Sequence, residues 1–425
     1  MNLLKNDFLK GFFNRGGHYV FSSSILSKVA KFILSILIVR FLSKEDFGLL
    51  TYALTIIVFI SPFIGLGLNH SLLRFGSIAK GDIKKEDLHL YSLKYGLIGS
   101  LVLVLFVLIF SNLLVINKPE AQLYLVLLSF GLLTGYPYLL LLSKNRIYEN
   151  NKRYSKIQIY YSIFSLSIIG FLTYKFAVIG NVIGILLVPV IIYFIFSKEN
   201  YSHLYNKIKT IKFDYNKNKE HLKYALFVGF GAIASQFAIV SDHLIIGNLI
   251  SNPEKLATYK VATLLPMNIL FLPLVFLTTD FVHLATNYLD GLLLKKYYIS
   301  YLKIFIPLTL FISLFLWMSA DFVIPFLFGE NYIDAIEILN ILIVGLLALF
   351  LLRIPLGNIL AAVGKSNWTA YNSFFMVLVN ILLTIPLVKF YGIKGAAYAT
   401  VIVFWVSGLI NLTLFFYYLK TLKSK

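Results

Sequence analysis

The sequence predicts an all-α membrane protein in which about twelve transmembrane helices form two six-helix halves. Hydrophobic residues make up 59% of its 425 positions and charged residues only 13%, with a mean hydropathy of +0.82. Soluble domains have roughly 45–50% apolar and about 25% charged residues. The apolar residues also form runs near the roughly 20 residues that a spanning helix needs. Finally, helix-interrupting residues recur at corresponding places in the two halves.

Twelve apolar runs, bounded by charged or Gly- and Pro-rich breaks, give the predicted spans. They cover residues 18–41, 48–73, 90–115, 121–142, 157–173 and 178–196, and then 223–250, 256–285, 298–327, 333–363, 370–390 and 395–419. The fifth and sixth runs nearly touch, so eleven helices is the alternative. The predicted organisation is an N-terminal bundle (1–199), a cytoplasmic linker (200–221) and a C-terminal bundle (222–425). For the linker, an amphipathic helix on the membrane surface is the alternative.

The distribution of basic residues sets the predicted orientation. Of the 38 Lys and Arg residues, 26 lie in the termini and connections on one side and 6 on the other. The six are Lys44, Lys118, Lys175, Lys255, Lys389 and Lys394. Because Lys and Arg concentrate in cytoplasmic loops, both termini are predicted to be cytoplasmic. The net charge of +19 is therefore a topology signal, and nucleic-acid binding is not expected. The chain has no cysteine, which excludes disulfides and cysteine metal sites.

Turns and helix-interrupting residues recur along the chain and indicate an internal repeat. The turn at 42–48 after the first span occupies the same place as 250–256 after the seventh, about 208 residues later. The corresponding interruptions are Pro62, Gly65 and Gly67 against Pro266 and Pro273, Gly135 and Pro137 against Pro355, and Lys175-Phe176 against Lys389-Phe390. Paired broken helices in two halves are typical of transporters built from structural repeats.

The first span carries a polar stripe. Ser24, Lys28, Lys31 and Ser35 are spaced by four, three and four residues, which places them on one face of a helix. A lysine at the bilayer centre costs about 2.5–3.5 kcal/mol, so a pair there favours water or an anion nearby. We interpret the stripe as a cationic wall suited to a diphosphate; snorkelling toward the membrane surface is the alternative. Arg353, beside Pro355 in the tenth span, is a candidate for the same cavity.

Two carboxylates fall well within predicted spans, Asp242 in the seventh and Asp280 in the eighth. Either Lys260 or a lysine of the first span could pair with Asp242, as a structural ion pair or a gate. Desolvated carboxylates also titrate near neutrality, so both are candidates for proton coupling. His283, one turn from Asp280, is expected to be a satisfied polar residue.

The sequence contains no recognisable set of catalytic residues. The sequence contains no HExxH, P-loop or GxSxG pattern and no aspartate-rich metal pair. Connections of about ten residues on the outer side are too short for a catalytic domain. No catalytic residue, metal or cofactor is therefore predicted.

Four segments resemble the polysaccharide transporter family, the Wzx-type lipid-linked oligosaccharide or O-antigen flippases within the multidrug/oligosaccharidyl-lipid/polysaccharide exporter (MOP) superfamily. They are 42–48 after Val39-Arg40-Phe41, Ser241-Asp242-His243 leading to Gly247 and Ala257-Thr258-Tyr259, Gly364-Lys365, and 391–400. The resemblance spans the whole chain, and its specificity comes from the order and spacing of loose patterns of small and apolar residues.

This resemblance implies a fold similar to that of the MATE transporters: two bundles in a V shape, related by a pseudo-two-fold axis. It implies a bacterial inner-membrane flippase that moves undecaprenyl-diphosphate-linked repeat units of O-antigen (lipopolysaccharide), capsule or exopolysaccharide to the outer leaflet. Expected partners are the lipid-linked oligosaccharide, the bilayer and a coupling proton or other ion, with a polysaccharide polymerase and a chain-length regulator as candidate protein partners. A drug or cation antiporter of the same superfamily is the alternative, and an integral-membrane glycosyltransferase or polymerase the weaker one.

Overall fold

The computed structural model describes residues 17–197 and 215–423, in which all regular structure is helical. The first part contains α1 (Gly17–Phe41), α2 (Lys44–Ile60), α3 (Leu68–Ile78), α4 (Asp82–Leu114), α5 (Gln122–Ile147), α6 (Asn151–Phe164) and α7 (Gly170–Ser197). The second contains α8 (Tyr215–Leu249), α9 (Pro253–Ile269), α10 (Phe271–Thr286), α11 (Gly291–Phe328), α12 (Ala335–Ala348), α13 (Ile354–Ala362), α14 (Ser366–Tyr391) and α15 (Ile393–Lys423). Of the predicted linker, 200–214 lie outside the described residues and 215–221 begin α8.

Ten ranges of the described chain are long and apolar enough to cross a membrane. One of them, Asn151–Ser197, contains a reversal at Phe176 and Ala177 and therefore holds two antiparallel helices. Across this reversal, Asn181 Nδ2 donates to Thr173 Oγ1 at 3.0 Å. With this range counted twice and the 35-residue α8 added, the described chain supplies the twelve long helices of the prediction. The protein is a multi-pass membrane protein.

The two halves end in the same helical hairpin. Ala177 has φ 48° and ψ −133°, and Gly392 has φ 60° and ψ −142°. Three residues beyond each turn a glycine meets the preceding helix: a Cβ on Gly180 would collide with the Leu172 carbonyl oxygen, and one on Gly395 with that of Leu387. The predicted correspondence of these two connections is thus visible in backbone geometry as well as in sequence.

This shared turn predicts opposite effects of reciprocal substitutions. A side chain at positive φ is strained, by about 1–3 kcal/mol in sparsely populated regions, and glycine removes that strain. We expect Ala177→Gly to raise the unfolding temperature in detergent by about 1–2 °C, and Gly392→Ala to lower it by a similar amount. Thermal unfolding followed by fluorescence measures both. Shifts of the same sign would contradict the shared geometry.

The second span is interrupted between α2 and α3. Ser61–Gly67 leaves the regular helix, and Gly65, Leu66 and Gly67 all have positive φ. Tyr136, which is fully buried, fills the space beside this turn and donates from its hydroxyl to the Ser92 carbonyl at 2.7 Å. A Cβ on either Gly65 or Gly96 would collide with the Tyr136 ring.

The crowding around Tyr136 predicts that Gly96→Ala is poorly tolerated. Overpacking a tight core costs typically 1–3 kcal/mol, so we expect a marked loss of folded protein and a lower unfolding temperature. Gly135→Ala is the matched control, because nothing lies within 4 Å of a Cβ built there. Size-exclusion profiles and unfolding temperatures distinguish the two variants; equal tolerance would show that Tyr136 can move aside.

The second and eighth spans, which occupy equivalent places in the two halves, both begin with a helix cap. Ser43 accepts from the backbone N–H of Asp46 and caps α2, while Asn252 accepts from that of Glu254 and caps α9. Such side chains satisfy otherwise free N–H groups at helix starts. The eighth span breaks between Ile269 and Phe271, at the place equivalent to the interruption after α2. These features match the predicted repeat.

The correspondence of Gly135 and Pro137 with Pro355 is not visible in the helices. Helix α5 runs through Pro137 without a break, whereas a π-helical segment, Leu349–Arg353, separates α12 from α13. Proline has no N–H and leaves the carbonyl four residues earlier free. Here the hydroxyls of Tyr298 and Tyr301 donate to the carbonyls of Leu351 and Phe350, at 2.9 and 2.8 Å.

The chain divides into two compact units, Met1–Gln236 and Phe237–Lys425, and the division falls inside α8. The first unit has a core of side chains from α1, α5, α6 and α7 with the π-helical segment between the last two. Its members are Leu34, Leu141, Ile157, Ile169, Val188, Ile192 and Phe196. The second has a core between α10, α11, α13 and α15 that includes Leu284, Leu294, Leu356, Ile359 and Phe415. The predicted bundle bounds stay a prediction.

Candidate functional site

The polar stripe of α1 lies on the opposite side of the helix from three of its exposed apolar side chains. At about 100° per residue, Leu26, Val29 and Ile33 fall on one flank, with 44%, 49% and 40% of their surfaces exposed. Lys28 and Lys31 fall on the other flank and are exposed as well. Phe21, which is 42% exposed and lies seven residues before Lys28, falls on the lysine flank, so that flank carries the lysines together with one exposed aromatic side chain.

The face of α1 between these flanks packs on α6 through polar contacts. Ser23 Oγ donates to Gln158 Oε1 at 3.1 Å, and Ser162 Oγ donates to Ser27 Oγ at 2.8 Å. These contacts fix the rotation of α1 and therefore the direction of the lysine flank. The prediction from sequence missed them, although the spacing of Ser23 and Ser27 by four residues was a signal that could have found them.

Lys31 lies next to this contact between α1 and α6. With Tyr161, Ser162 and Ser165 it lines a cavity of about 10 Å³, close to the size that holds one water molecule. The Ser165 hydroxyl is buried and has no hydrogen-bond partner, and it begins the π-helical segment between α6 and α7. Ala30 and Leu34 complete the lining, so Lys31 has both polar and apolar neighbours on its protein side.

Arg353 closes the π-helical segment of the tenth span. Its guanidinium lies 5.3 Å from the centre of the Phe404 ring, and the side chain is half-buried. Its backbone carbonyl accepts from Asn411 Nδ2 at 3.1 Å. Among the described residues no carboxylate forms an ion pair with Arg353, so its charge is available to an anion. π-Helical bulges of this kind are frequent at functional sites.

Asp242 lies in a polar cluster of the second unit. The hydroxyls of Tyr259 and Thr400 both donate to Asp242 Oδ2, the former at 3.0 Å. The adjacent Ser241 donates to Asn380 Oδ1 at 2.9 Å. Asp242 Oδ1 is buried. Asn380 and Thr384 of α14 also lie within hydrogen-bonding range of this carboxylate, so the cluster gathers hydroxyl, amide and carboxylate groups from α8, α9, α14 and α15.

The other candidate residues, Lys260, Asp280 and His283, form no ion pair or hydrogen bond with Asp242 among the described residues. Within the described chain no ion pair links Asp242 to Lys260, which is half-buried on α9 beside Tyr259. Asp280 accepts instead from the Tyr297 hydroxyl at 3.1 Å, and His283 is exposed. No group of three or more His, Asp or Glu side chains that could hold a metal ion is found in the described ranges.

The residues around Asp242 come from distant parts of the chain. Thr400 is 158 positions away and Asn380 is 138 away, so spacing alone did not reveal the cluster. Tyr259 and Thr400 do belong to the segments that carry the family resemblance. That resemblance was the signal from which these two partners could have been found.

The chain belongs to the family described as "Polysaccharide biosynthesis protein", which matches residues 13–281. This confirms the family resemblance seen in the sequence. A comparison with curated protein sequences gives no significant match.

Solved structures show the same fold. The chain is similar to a lipid II flippase MurJ in an inward closed conformation, with a TM-score of 0.74 and 19% identity over 93% of this chain and 87% of that one. It is also similar to a multidrug resistance MATE family transporter of the MOP superfamily in an inward-facing conformation, with a TM-score of 0.72 and 16% identity over 94% and 96%. An outward-facing structure of such a transporter gives 0.62 and 17%, over 96% of each chain. The predicted all-helical fold, similar to that of the MATE transporters, is confirmed.

Proposed function

We propose that the protein is a flippase for undecaprenyl-diphosphate-linked oligosaccharide repeat units, which it moves from the cytoplasmic to the outer leaflet by alternating access. The observation that carries the proposal is the pair of lysines on one flank of α1, on the side of the helix away from Leu26, Val29 and Ile33. Two lysines in a spanning helix need a hydrated or anionic environment. Family membership in polysaccharide biosynthesis supports a lipid-linked sugar as the source of the anion.

In this proposal Lys28, Lys31 and Arg353 bind the diphosphate. Lysine acts on phosphate as a compact charge, whereas the planar guanidinium of Arg353 offers paired donors. Neutralising the head group lowers the cost of moving it across the hydrocarbon, since an unpaired charge there is strongly unfavourable. The chain changes no covalent bond of its substrate in this mechanism.

Asp242 is the proposed coupling residue. Its Oδ2 is held by Tyr259 and Thr400, and we assign Oδ1, which faces neutral polar side chains, as the oxygen that takes up a proton or a metal cation. Release of that cation to the other side would return the carrier for the next cycle. Asp280 and Lys260 are secondary candidates for ion pairing or gating.

The expected setting is the bacterial inner membrane with both termini cytoplasmic. The 26 to 6 distribution of basic residues supports this orientation. A polysaccharide polymerase and a chain-length regulator are the proposed protein partners, because exported repeat units of O-antigen, capsule or exopolysaccharide must next be joined.

Reconstitution in proteoliposomes tests the proposal. Purified protein should move a fluorescent polyprenyl-diphosphate-linked sugar between leaflets, measured as the fraction accessible to a reagent that does not cross the membrane. It should not accelerate export of cationic dyes. The opposite pattern, dye transport without lipid translocation, would establish the drug or cation antiporter instead, and transfer of the sugar would establish a glycosyltransferase.

A further inference from the structure

A groove runs along the surface between α14 and α15 in the second unit. It has a volume of about 290 Å³ and is lined by Trp368, Tyr371, Asn372, Phe375, Ile410 and Leu414. Both helices are apolar and long enough to span a membrane. Tyr371 and Phe375 remain 71% and 53% exposed, so the groove opens sideways, toward the hydrocarbon rather than toward water.

One end of this α14–α15 groove is positively charged. Lys365 Nζ lies 5.0 Å from the centre of the Trp368 ring, and Lys365 directly precedes α14. The free N–H groups of a helix start attract anions, and tryptophan commonly marks the membrane surface. No carboxylate pairs with Lys365 in the described parts of the chain. The Lys365 ammonium and the N-terminus of α14 thus lie at one end of an apolar groove.

We propose that the α14–α15 groove binds the isoprenoid chain of the lipid-linked substrate, with the diphosphate next to Lys365. This proposal rests on the proposed function. A volume of about 290 Å³ is enough for the first isoprene units of one chain. A phospholipid would have to leave its second chain outside. Charge at one end and apolar walls beyond it match a single-chain lipid phosphate.

The floor of the groove connects to a residue of the proposed diphosphate site. Asn372 is 6% exposed, and its Nδ2 donates to Asn411 Oδ1 at 2.8 Å and to the Ser407 carbonyl at 3.0 Å. Asn411 in turn donates to the backbone carbonyl of Arg353. The groove and the π-helical segment of Arg353 therefore share a hydrogen-bond chain. On the proposed topology, the substrate enters from the cytoplasmic leaflet at Lys365 and its head group passes on to Arg353.

Photolabelling of the full chain in nanodiscs of phosphatidylethanolamine and phosphatidylglycerol tests the groove. The probe is a polyprenyl diphosphate with a diazirine in its first isoprene units. Labels should map to 368–375 and 410–414, and unlabelled polyprenyl phosphate should reduce them while added phosphatidylglycerol does not. Equal competition by phosphatidylglycerol would overturn the proposal in favour of an ordinary phospholipid site.

Two variants with matched controls complete the test. Ile410→Trp fills the groove and should lower labelling at least fivefold, whereas Leu382→Trp, at a 72% exposed position on α14 outside it, should not. Lys365→Ala should weaken probe binding about tenfold, and Lys389→Ala at the other end of α14 should leave it unchanged. Unfolding temperatures check that each variant is folded.

The outcomes separate this proposal from the proposed function. Labelling at other positions while lipid translocation continues would overturn the groove alone. Absence of both labelling and translocation in the wild-type protein would overturn the flippase assignment and the groove with it.

Discussion

The double substitution Lys28→Ala with Lys31→Ala should abolish lipid translocation. Each ammonium is proposed to hold the diphosphate through a charge-assisted contact worth about 1.5–3 kcal/mol. Loss of both corresponds to about 3–6 kcal/mol, or a fall in transport of at least roughly 100-fold. In cells the variant should lack surface polysaccharide and accumulate lipid-linked repeat units in the inner leaflet. Proteoliposome translocation and lipid-linked sugar analysis measure the two effects.

Controls separate charge from structure in this experiment. The hydrogen bonds of Ser23 and Ser27 with α6 do not involve a lysine side chain, and the unfolding temperature of the variant, compared with that of the wild type, shows whether it is folded. Lys28→Arg with Lys31→Arg keeps both charges and should retain much of the transport. Lys175→Ala with Lys389→Ala removes two lysines from connections predicted to lie on the outer side and should have little effect. Normal polymer in the Lys28 and Lys31 alanine variant would refute the assignment of the stripe to the diphosphate.

The repeated architecture was predictable because its signals are local. Caps at Ser43 and Asn252 and the turns at Ala177 and Gly392 depend on a few adjacent residues, and their spacing along the chain is directly readable. A spanning helix is likewise predictable from the length and hydrophobicity of its own apolar run. Helix count and basic-residue asymmetry therefore followed from the sequence.

The surroundings of the candidate residues were not predictable in the same way. Whether the stripe of α1 faces lipid or protein depends on its rotation, which contacts with Gln158 and Ser162 set from another helix. Helical periodicity gives the relative angle of residues on one helix but not the neighbour that each meets. The interruption near Pro355 was predicted from the proline, but the same limit hid its π-helical form and the Tyr298 hydroxyl that donates to this segment from a different helix.

The hydrogen-bond partners of Asp242 in the structure differ from the partner that the sequence suggested, and this changes the mechanism expected for it. The sequence suggested Lys260 as a partner because an isolated charge in a membrane is unfavourable. The structure instead provides neutral hydroxyl donors from Tyr259 and Thr400. Neutral donors stabilise a carboxylate without cancelling its charge, so Asp242 keeps an attraction for a cation that an ion pair with lysine would have removed. This arrangement favours coupling over a purely structural role.

Asp242→Asn should therefore uncouple transport from the ion gradient. The amide oxygen can still accept from Tyr259 and Thr400, so the unfolding temperature should change by no more than about 2 °C. The negative charge is lost, however, and with it the cation site. We expect a proton or sodium gradient that accelerates wild-type translocation severalfold to have no effect on the variant, whereas its affinity for the polyprenyl diphosphate stays within about twofold. Proteoliposomes with imposed gradients, tested one ion at a time, measure this.

The matched control is Asp280→Asn, because Asp280 also accepts a hydrogen bond from a tyrosine, Tyr297, but lies outside the Asp242 cluster. It should keep its response to the gradient. If Asp242→Asn still responds and Asp280→Asn does not, the coupling site lies in the eighth span. If Asp242→Asn unfolds while Asp280→Asn is stable, the Asp242 charge is required for the fold, and the coupling proposal for this residue is refuted.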